Sequence, residues 1–207
     1  RIKNIEIIGG TKNCNIEKIK QLNPDIIIAN KEENTREQVE ELQKTHKVIV
    51  TNISTIEDNY YLLKNLGIYF RCEEKAQLYN LKIYDIFQQI KNDKKLKVAY
   101  LIWQNPFMTI GKDTFIHTIL SELGFDNIFK NTIRYPQINI EDLAEADVIF
   151  LSSEPFPFQQ KHIDELQKIY PQKKIMLVNG EAFSWYGTHL AKCENYFRKL
   201  ILDVNFS

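Results

Sequence analysis

Glycine is scarce in this 207-residue chain, at seven residues, and proline scarcer still at six. So low a content excludes collagen-like and linker-like sequences, and most of the glycines sit between periodic segments, as punctuation. Three cysteines (Cys14, Cys72 and Cys193) are widely spaced and odd in number, which fits neither a disulfide framework nor a zinc motif. Three unpaired thiols are therefore expected. Charge of one sign is also missing: 27 basic side chains balance 27 acidic ones, and the balance holds on either side of residue 92, at 14 against 13 and then 13 against 14. No basic stripe is left to hold a phosphate backbone, so nucleic acid is not expected as a partner. No apolar run approaches the roughly 18 residues of a membrane span. The four histidines, His46, His117, His162 and His189, are never within i, i+4 of one another, which disfavours a bare metal bound by several of them. His46 and His162 read as surface positions, and His117 as part of an amphipathic helix. A P-loop, a GxGxxG after a strand and a GxSxG elbow are all absent, leaving the Gly9–Lys12 turn as a weak anion-site candidate.

What is present is alternation. Residues 5–8 (IEII), 25–29 (DIIIA) and 47–51 (KVIVT) read as strands. The spacing predicts helices between them from Asn15 to Leu22 and over 35–44, then a third over about 55–66, begun by Ser54 or Thr55 with Glu57 and Asp58 in its first turn. The stretch 70–92 breaks the rhythm. It has no Gly or Pro, and apolar residues recur at Leu78, Leu81, Ile83, Ile86, Phe87 and Ile90, the pattern of one long amphipathic helix. Alternation then resumes, with strands at 97–103, near 132–135, at 147–152 and at 174–179. Helices are expected over 113–124 (Asp113 as cap, Gly124 as stop), 139–145, 159–170 and 187–203. The fold class is α/β. Two Rossmann-like βα lobes, three strands in the first and four in the second, are joined by one long backbone helix: residues 1–69, 70–92 and 93–207.

In parallel α/β sheets ligands bind beyond the carboxyl ends of the strands. Those positions here are NKEEN (30–34), WQNPFMTIG (103–111), SSEPFPF (152–158) and NGEAFSWYG (179–187). The last three hold Trp103, Phe107, Phe156, Phe158, Phe183, Trp185 and Tyr186, with Met108 beside them, although aromatics make up only 12% of the chain. Such rings either pack the end of their own lobe or build a surface that buries something. Pro106, Pro155 and Pro157 fix φ and stiffen two of the loops, which favours a preformed site. Glu154 and Glu181 occupy equivalent places in neighbouring loops. A carboxylate there can serve acid–base hydrolysis, hydrogen-bond a ligand, cap a helix or ligate metal, and sequence spacing does not choose among these. The run Lys31, Glu32, Glu33 and Asn34 reads either as a solvated turn into a helix or as a polar wall facing the aromatic one across a cleft.

The segments GGTKN (9–13), LNPDIIIANKEEN (22–34), VAYLIWQNPFMTIGKDTFIHTIL (98–120), SSEPFPF (152–158) and NGEAFSWYG (179–187) resemble the class III periplasmic binding proteins of cobalamin and ferric-siderophore type, in which a helical backbone joins two lobes. The resemblance runs over nearly the whole chain. It implies a non-catalytic solute-binding protein of an ABC importer, holding a corrinoid or ferric siderophore between lobes with no covalently bound cofactor. The aromatic loops would stack on the ligand, while Glu154, Glu181 and Lys31–Asn34 would meet its polar edges. The metal would arrive inside its chelator. Such proteins carry about one more βα unit before the GGTK turn, so the N-terminal lobe is expected to be incomplete, in keeping with an opening at Arg1 without Met or signal peptide. A periplasmic or other extracytoplasmic setting is implied, with a cytoplasmic one left open. An ABC permease is the implied partner, but where the resemblance would place docking glutamates this chain has Arg36 beside Glu37, and Gly187. Two other readings follow from the residues: a cleft hydrolase using Glu154 and Glu181, and a soluble sensor of the same ligand. The aromatic loops contain no arginine, which favours a near-neutral ligand such as a corrinoid over an anionic siderophore.

Overall fold

The computed structural model describes residues 5–206; the first four residues of the expected N-terminal lobe, and Ser207, lie outside them. The chain forms two compact units, residues 1–52 and 53–207. The expected first lobe runs to residue 69, but the helix over 56–69 belongs with the second unit, where Ile56 and Leu63 join its core.

In the first unit β1 (Gly9–Gly10) and β2 (Asn13–Cys14) form a small antiparallel hairpin. Helix α1 (Ile16–Leu22) follows, with the Asn15 side chain accepting the Lys18 N–H as its cap. Then come β3 (Ile27–Asn30), α2 (Arg36–Gln43), capped by Thr35, and β4 (Val48–Thr51). β3 and β4 pair in parallel, Ile27 opposite Val48 and Asn30 opposite Thr51. Residues 5–8, expected as a strand, are not one. Ile5 and Ile7 are exposed, and Ile8 instead gives its carbonyl to the Asn15 N–H at the head of α1.

The second unit opens with α3 (Ile56–Tyr69), fixed by a capping box in which Thr55 and Asp58 satisfy each other's backbone N–H. Helix α4 (Glu73–Gln89) starts three residues later than the sequence pattern, because Arg71 turns the chain at φ +53°. A Cβ on Gly67 of α3 would lie 2.7 Å from the Ala76 Cβ of α4, so a glycine there lets the two helices approach closely. α4 buries Ala76, Ile83, Ile86 and Phe87. Leu78 and Leu81, read as part of the same stripe, face outward, and Leu81 helps line an open groove with Tyr60, Ile68, Ala76 and Tyr84.

A four-stranded, wholly parallel sheet follows, built of β5 (Lys97–Leu101), β6 (Asp126–Asn127), β7 (Val148–Ser152) and β8 (Lys174–Val178) in the order β6-β5-β7-β8. The fourth strand is β6 and not residues 132–135. β5 and β7 are buried almost throughout, as a sheet covered on both faces requires. Its connections are α5 (Phe115–Glu122), capped by Thr114 and not Asp113, a 3₁₀ helix Ile140–Glu145, and α6 (Gln160–Ile169). Beyond β8 comes α7 (Gly180–Ser184), and the expected single helix over 187–203 is two pieces, a 3₁₀ helix Gly187–Lys192 and α8 (Glu194–Asn205), parted at Cys193. The chain turns between α7 and the 3₁₀ helix at Gly187, whose φ of +78° an L side chain rarely adopts. The three cysteines are free thiols, and burial pushes that of Cys193 up to about 11.

Candidate functional site

The three aromatic loops leave the carboxyl ends of β5, β7 and β8, and each is held by its neighbours. After β5 the chain reverses on itself: the Met108 N–H donates to the Trp103 carbonyl and the Ile102 N–H to the Met108 carbonyl. Residues 132–138, expected to include a sheet strand, run beside this loop instead. The Thr109 N–H reaches Pro136, the Gly111 N–H reaches Arg134 and the Ile138 N–H reaches Phe107. Glycine is required at 111, where a Cβ would lie 2.6 Å from the Thr132 carbonyl oxygen.

The loops after β7 and β8 interlock. Tyr100 on β5 donates its hydroxyl to Ser152 Oγ at 3.1 Å, and that hydroxyl donates to the Glu154 carbonyl at 2.6 Å. The Gly180 N–H donates to Ser153 Oγ at 2.9 Å. Ser184 Oγ lies 2.6 Å from Glu154 Oε1 and 3.0 Å from the Gly180 carbonyl; its single proton goes to the carboxylate, the stronger, charge-assisted acceptor. A Cβ at Gly180 would stand 2.4 Å from Glu154 Cγ, so only glycine lets these loops mesh. Beneath them the Asn179 N–H donates to the Tyr196 hydroxyl at 2.8 Å. Burial pushes the Tyr196 phenol up to about 12, and the Tyr100 phenol higher still, so both stay neutral donors and acceptors under any ordinary condition.

Of the seven aromatics, Trp103 (39% exposed) and Trp185 (49%) present the most surface. Phe107, Phe156 and Tyr186 are half-buried, as are Met108, Glu154 and Glu181. Phe158 and Phe183 are corrections to the sequence reading. Phe183 is wholly buried, packed at 5.2 Å from the Tyr100 ring and 5.8 Å from that of Phe197, and Phe158 lies in the core cluster beneath α6. Each serves its unit's core and presents no face to a ligand. The exposed rings rest on buried ones: Trp103 meets Phe156 at 5.5 Å, and Phe156 meets Phe158 at 4.8 Å. His162, read as a surface residue, is buried against both phenylalanines, and its Nδ1 accepts the Gln159 N–H at 2.8 Å. Sequence reasoning missed it because the first turn of a polar helix gives no sign of facing inward.

In the first unit the loop after β3 is equally constrained. Asn30 Oδ1 accepts the N–H groups of Glu32 and Glu33, and Asn34 Oδ1 accepts the Asn30 N–H. Asn34 Nδ2 and Lys12 Nζ tie the loop to the hairpin, at the carbonyls of Thr11 and Glu32. Lys31, Glu32 and Glu33 are exposed and Asn34 half-buried. Among the described residues no group of three or more His, Cys, Asp or Glu could hold a metal ion. The polar groups along these loops suit hydrogen bonding, and the rings suit stacking.

A family model described as periplasmic binding protein matches residues 4–169. The vitamin B12-binding protein of Salmonella paratyphi A is 28% identical over 145 residues, covering 67% of this chain and 54% of that protein. The chain thus spans about half the length of the curated relatives it matches. The solved periplasmic vitamin B12 binding protein BtuF of Vibrio cholerae superposes with a TM-score of 0.79 at 20% identity, over 98% of this chain and 84% of that one. The periplasmic heme binding protein HutB of Vibrio cholerae superposes at 0.79 and 17% identity, over 96% and 84%. These two likenesses carry the fold.

Proposed function

The chain belongs to the periplasmic binding protein family, whose members bind solutes and are not enzymes, and from that premise we propose that it binds a metal chelate for an ABC importer. The observation that supports this best is the pair of exposed tryptophans on loops locked together at the carboxyl edge of a parallel sheet. Aromatic faces stack on flat or apolar ligand surfaces, and rigid loops bear their ordering cost at folding. The ligand is a corrinoid or a ferric siderophore. Trp103, Phe107, Met108, Phe156, Trp185 and Tyr186 supply its apolar contacts, while Glu154 and Glu181 supply polar ones. Ser184 holds one oxygen of Glu154 and so aims the other. The metal stays within its chelator. The absence of arginine from the loops favours a near-neutral corrinoid, but the segment paired with the first loop carries Arg134, which keeps an anionic siderophore in the comparison.

The chelate would be handed to a permease outside the cytoplasm. Among the described residues no helix is long and apolar enough to cross a membrane. A hydrolytic use of Glu154 and Glu181 gains no support, since Glu154 is engaged by Ser184 and the relatives are binding proteins.

Tryptophan fluorescence, corrected for inner-filter absorption, tests the proposal during titration with cyanocobalamin and then with ferric siderophores and heme. Saturable quenching by one compound, weakened by Trp103→Ala and Trp185→Ala, is the expected result. Absence of quenching by every compound would overturn it.

A further inference from the structure

Asn59 sits on α3 within the same compact unit as the aromatic loops, and it is completely buried. Nothing in its own helix calls for asparagine, which has modest helix propensity and brings a buried amide that must be satisfied. The satisfaction comes from far along the chain: Asn59 Oδ1 accepts the backbone N–H of Gly187. That bond fixes the amide's orientation, because an N–H can be met only by the oxygen. The Nδ2 group is then left buried, with no partner among the described residues. An aliphatic side chain of similar size would avoid that orphaned donor. Fold stability alone is thus a poor account of this residue.

Its partner carries the second observation. Gly187 holds φ +78°, and a Cβ there would meet nothing within 4 Å, so backbone conformation and not crowding selects glycine. The same turn carries Trp185, whose ring lies 5.3 Å from that of His189, and Tyr186, whose ring meets Phe115 edge-on at 6.0 Å. The Trp185 N–H donates to the Glu181 carbonyl and ties the start of the turn to α7, while the bond from Gly187 to Asn59 ties its end to a buried helix and gives it one register.

We propose that Asn59 is a positioning residue: through Gly187 it holds the turn of Trp185 and Tyr186 in the conformation that receives the ligand, without touching the ligand itself. The proposal rests on the aromatic edge being the binding site, and it deepens that reading by naming what sets the edge's geometry.

The test uses the full chain with Trp103→Phe, which leaves Trp185 as the sole tryptophan. Asn59→Leu removes the acceptor at similar size, and Asn59→Asp retains one. Acrylamide quenching of Trp185 is read first without ligand, then the Kd for whichever compound quenched the unsubstituted protein. Asn59→Leu removes the orphaned amide but leaves the Gly187 N–H without its acceptor, so Tm is expected to change little, while the accessibility of Trp185 changes and binding weakens about tenfold, one hydrogen bond's worth of order in the turn. Asn59→Asp is expected to restore both readouts. Unchanged Trp185 quenching in a folded Asn59→Leu protein overturns the proposal, as does a weakened Kd without that change. Should Asn59→Leu not fold, Asn59→Ala gives the same comparison. If no compound binds the unsubstituted protein, the proposed function fails separately, and the ligand-free quenching still decides whether Asn59 sets the turn.

Discussion

Phe183 and Trp185 stand two positions apart in one loop and do opposite work. Phe183 is a wholly buried ring among Tyr100, Phe150 and Phe197, so Phe183→Ala leaves a large void and should cost about 3–5 kcal/mol by chemical denaturation. Trp185 is half exposed, and Trp185→Ala should cost less than about 1 kcal/mol while weakening chelate binding about tenfold. Equal losses of stability in the two variants would contradict the division. The sequence could not separate these residues, since both are aromatic and both sit in a loop beyond a strand. The difference is made by α7, which turns Phe183 inward under the sheet and ends before Trp185. The same holds for Glu154, whose role depends on a serine 30 positions away.

Helix ends are the scale at which the sequence was most legible. Asn15, Thr35 and Thr55 cap where their side-chain chemistry directs, and Gly124 stops α5 at φ +80°. For α3 this has a measurable consequence. Burial pulls the Asp58 carboxyl up, but hydrogen bonds from the backbone and hydroxyls of Ser54 and Thr55 outweigh it and hold the pKa below 3.8. A carboxyl depressed on folding contributes stability that is present above pH 3.8 and is lost as pH falls through the folded value. Melting curves from pH 7 to pH 3 should show Asp58→Asn with a shallower loss on the acid side than the parent. Thr55→Ala should cost about 1 kcal/mol at neutral pH, read in the same melts. Helix faces were less legible. In α4 two apolar stripes share one helix, Leu78 with Leu81 and Ile83 with Ile86 and Phe87, and only the helices packed against it, α3, α8 and the 3₁₀ helix Gly187–Lys192, decide which is buried. The break at 70–72 left no mark either, because Arg71 takes a left-handed conformation usually signalled by Gly or Asn.

For the molecule as a whole, the proposed ligand, which would bring its own metal, predicts indifference to chelators. Adding EDTA to the ligand-free protein should leave Tm unchanged, whereas the chelate at about 100 times its Kd should add about 2.7 kcal/mol of stability. A fall in Tm with EDTA would show that the protein itself holds a metal. What the sequence by itself determined was the α/β class, the parallel strands β5, β7 and β8, most helix starts and the concentration of aromatics at one sheet edge. Each of these follows from local period, capping chemistry or composition. Only the tertiary structure decided which rings face out, that His162 and Asn59 lie inside, that residues 132–138 brace the first loop and that the loops of β7 and β8 mesh at Gly180. These are contacts between residues tens of positions apart, and burial there depends on what the rest of the chain places alongside.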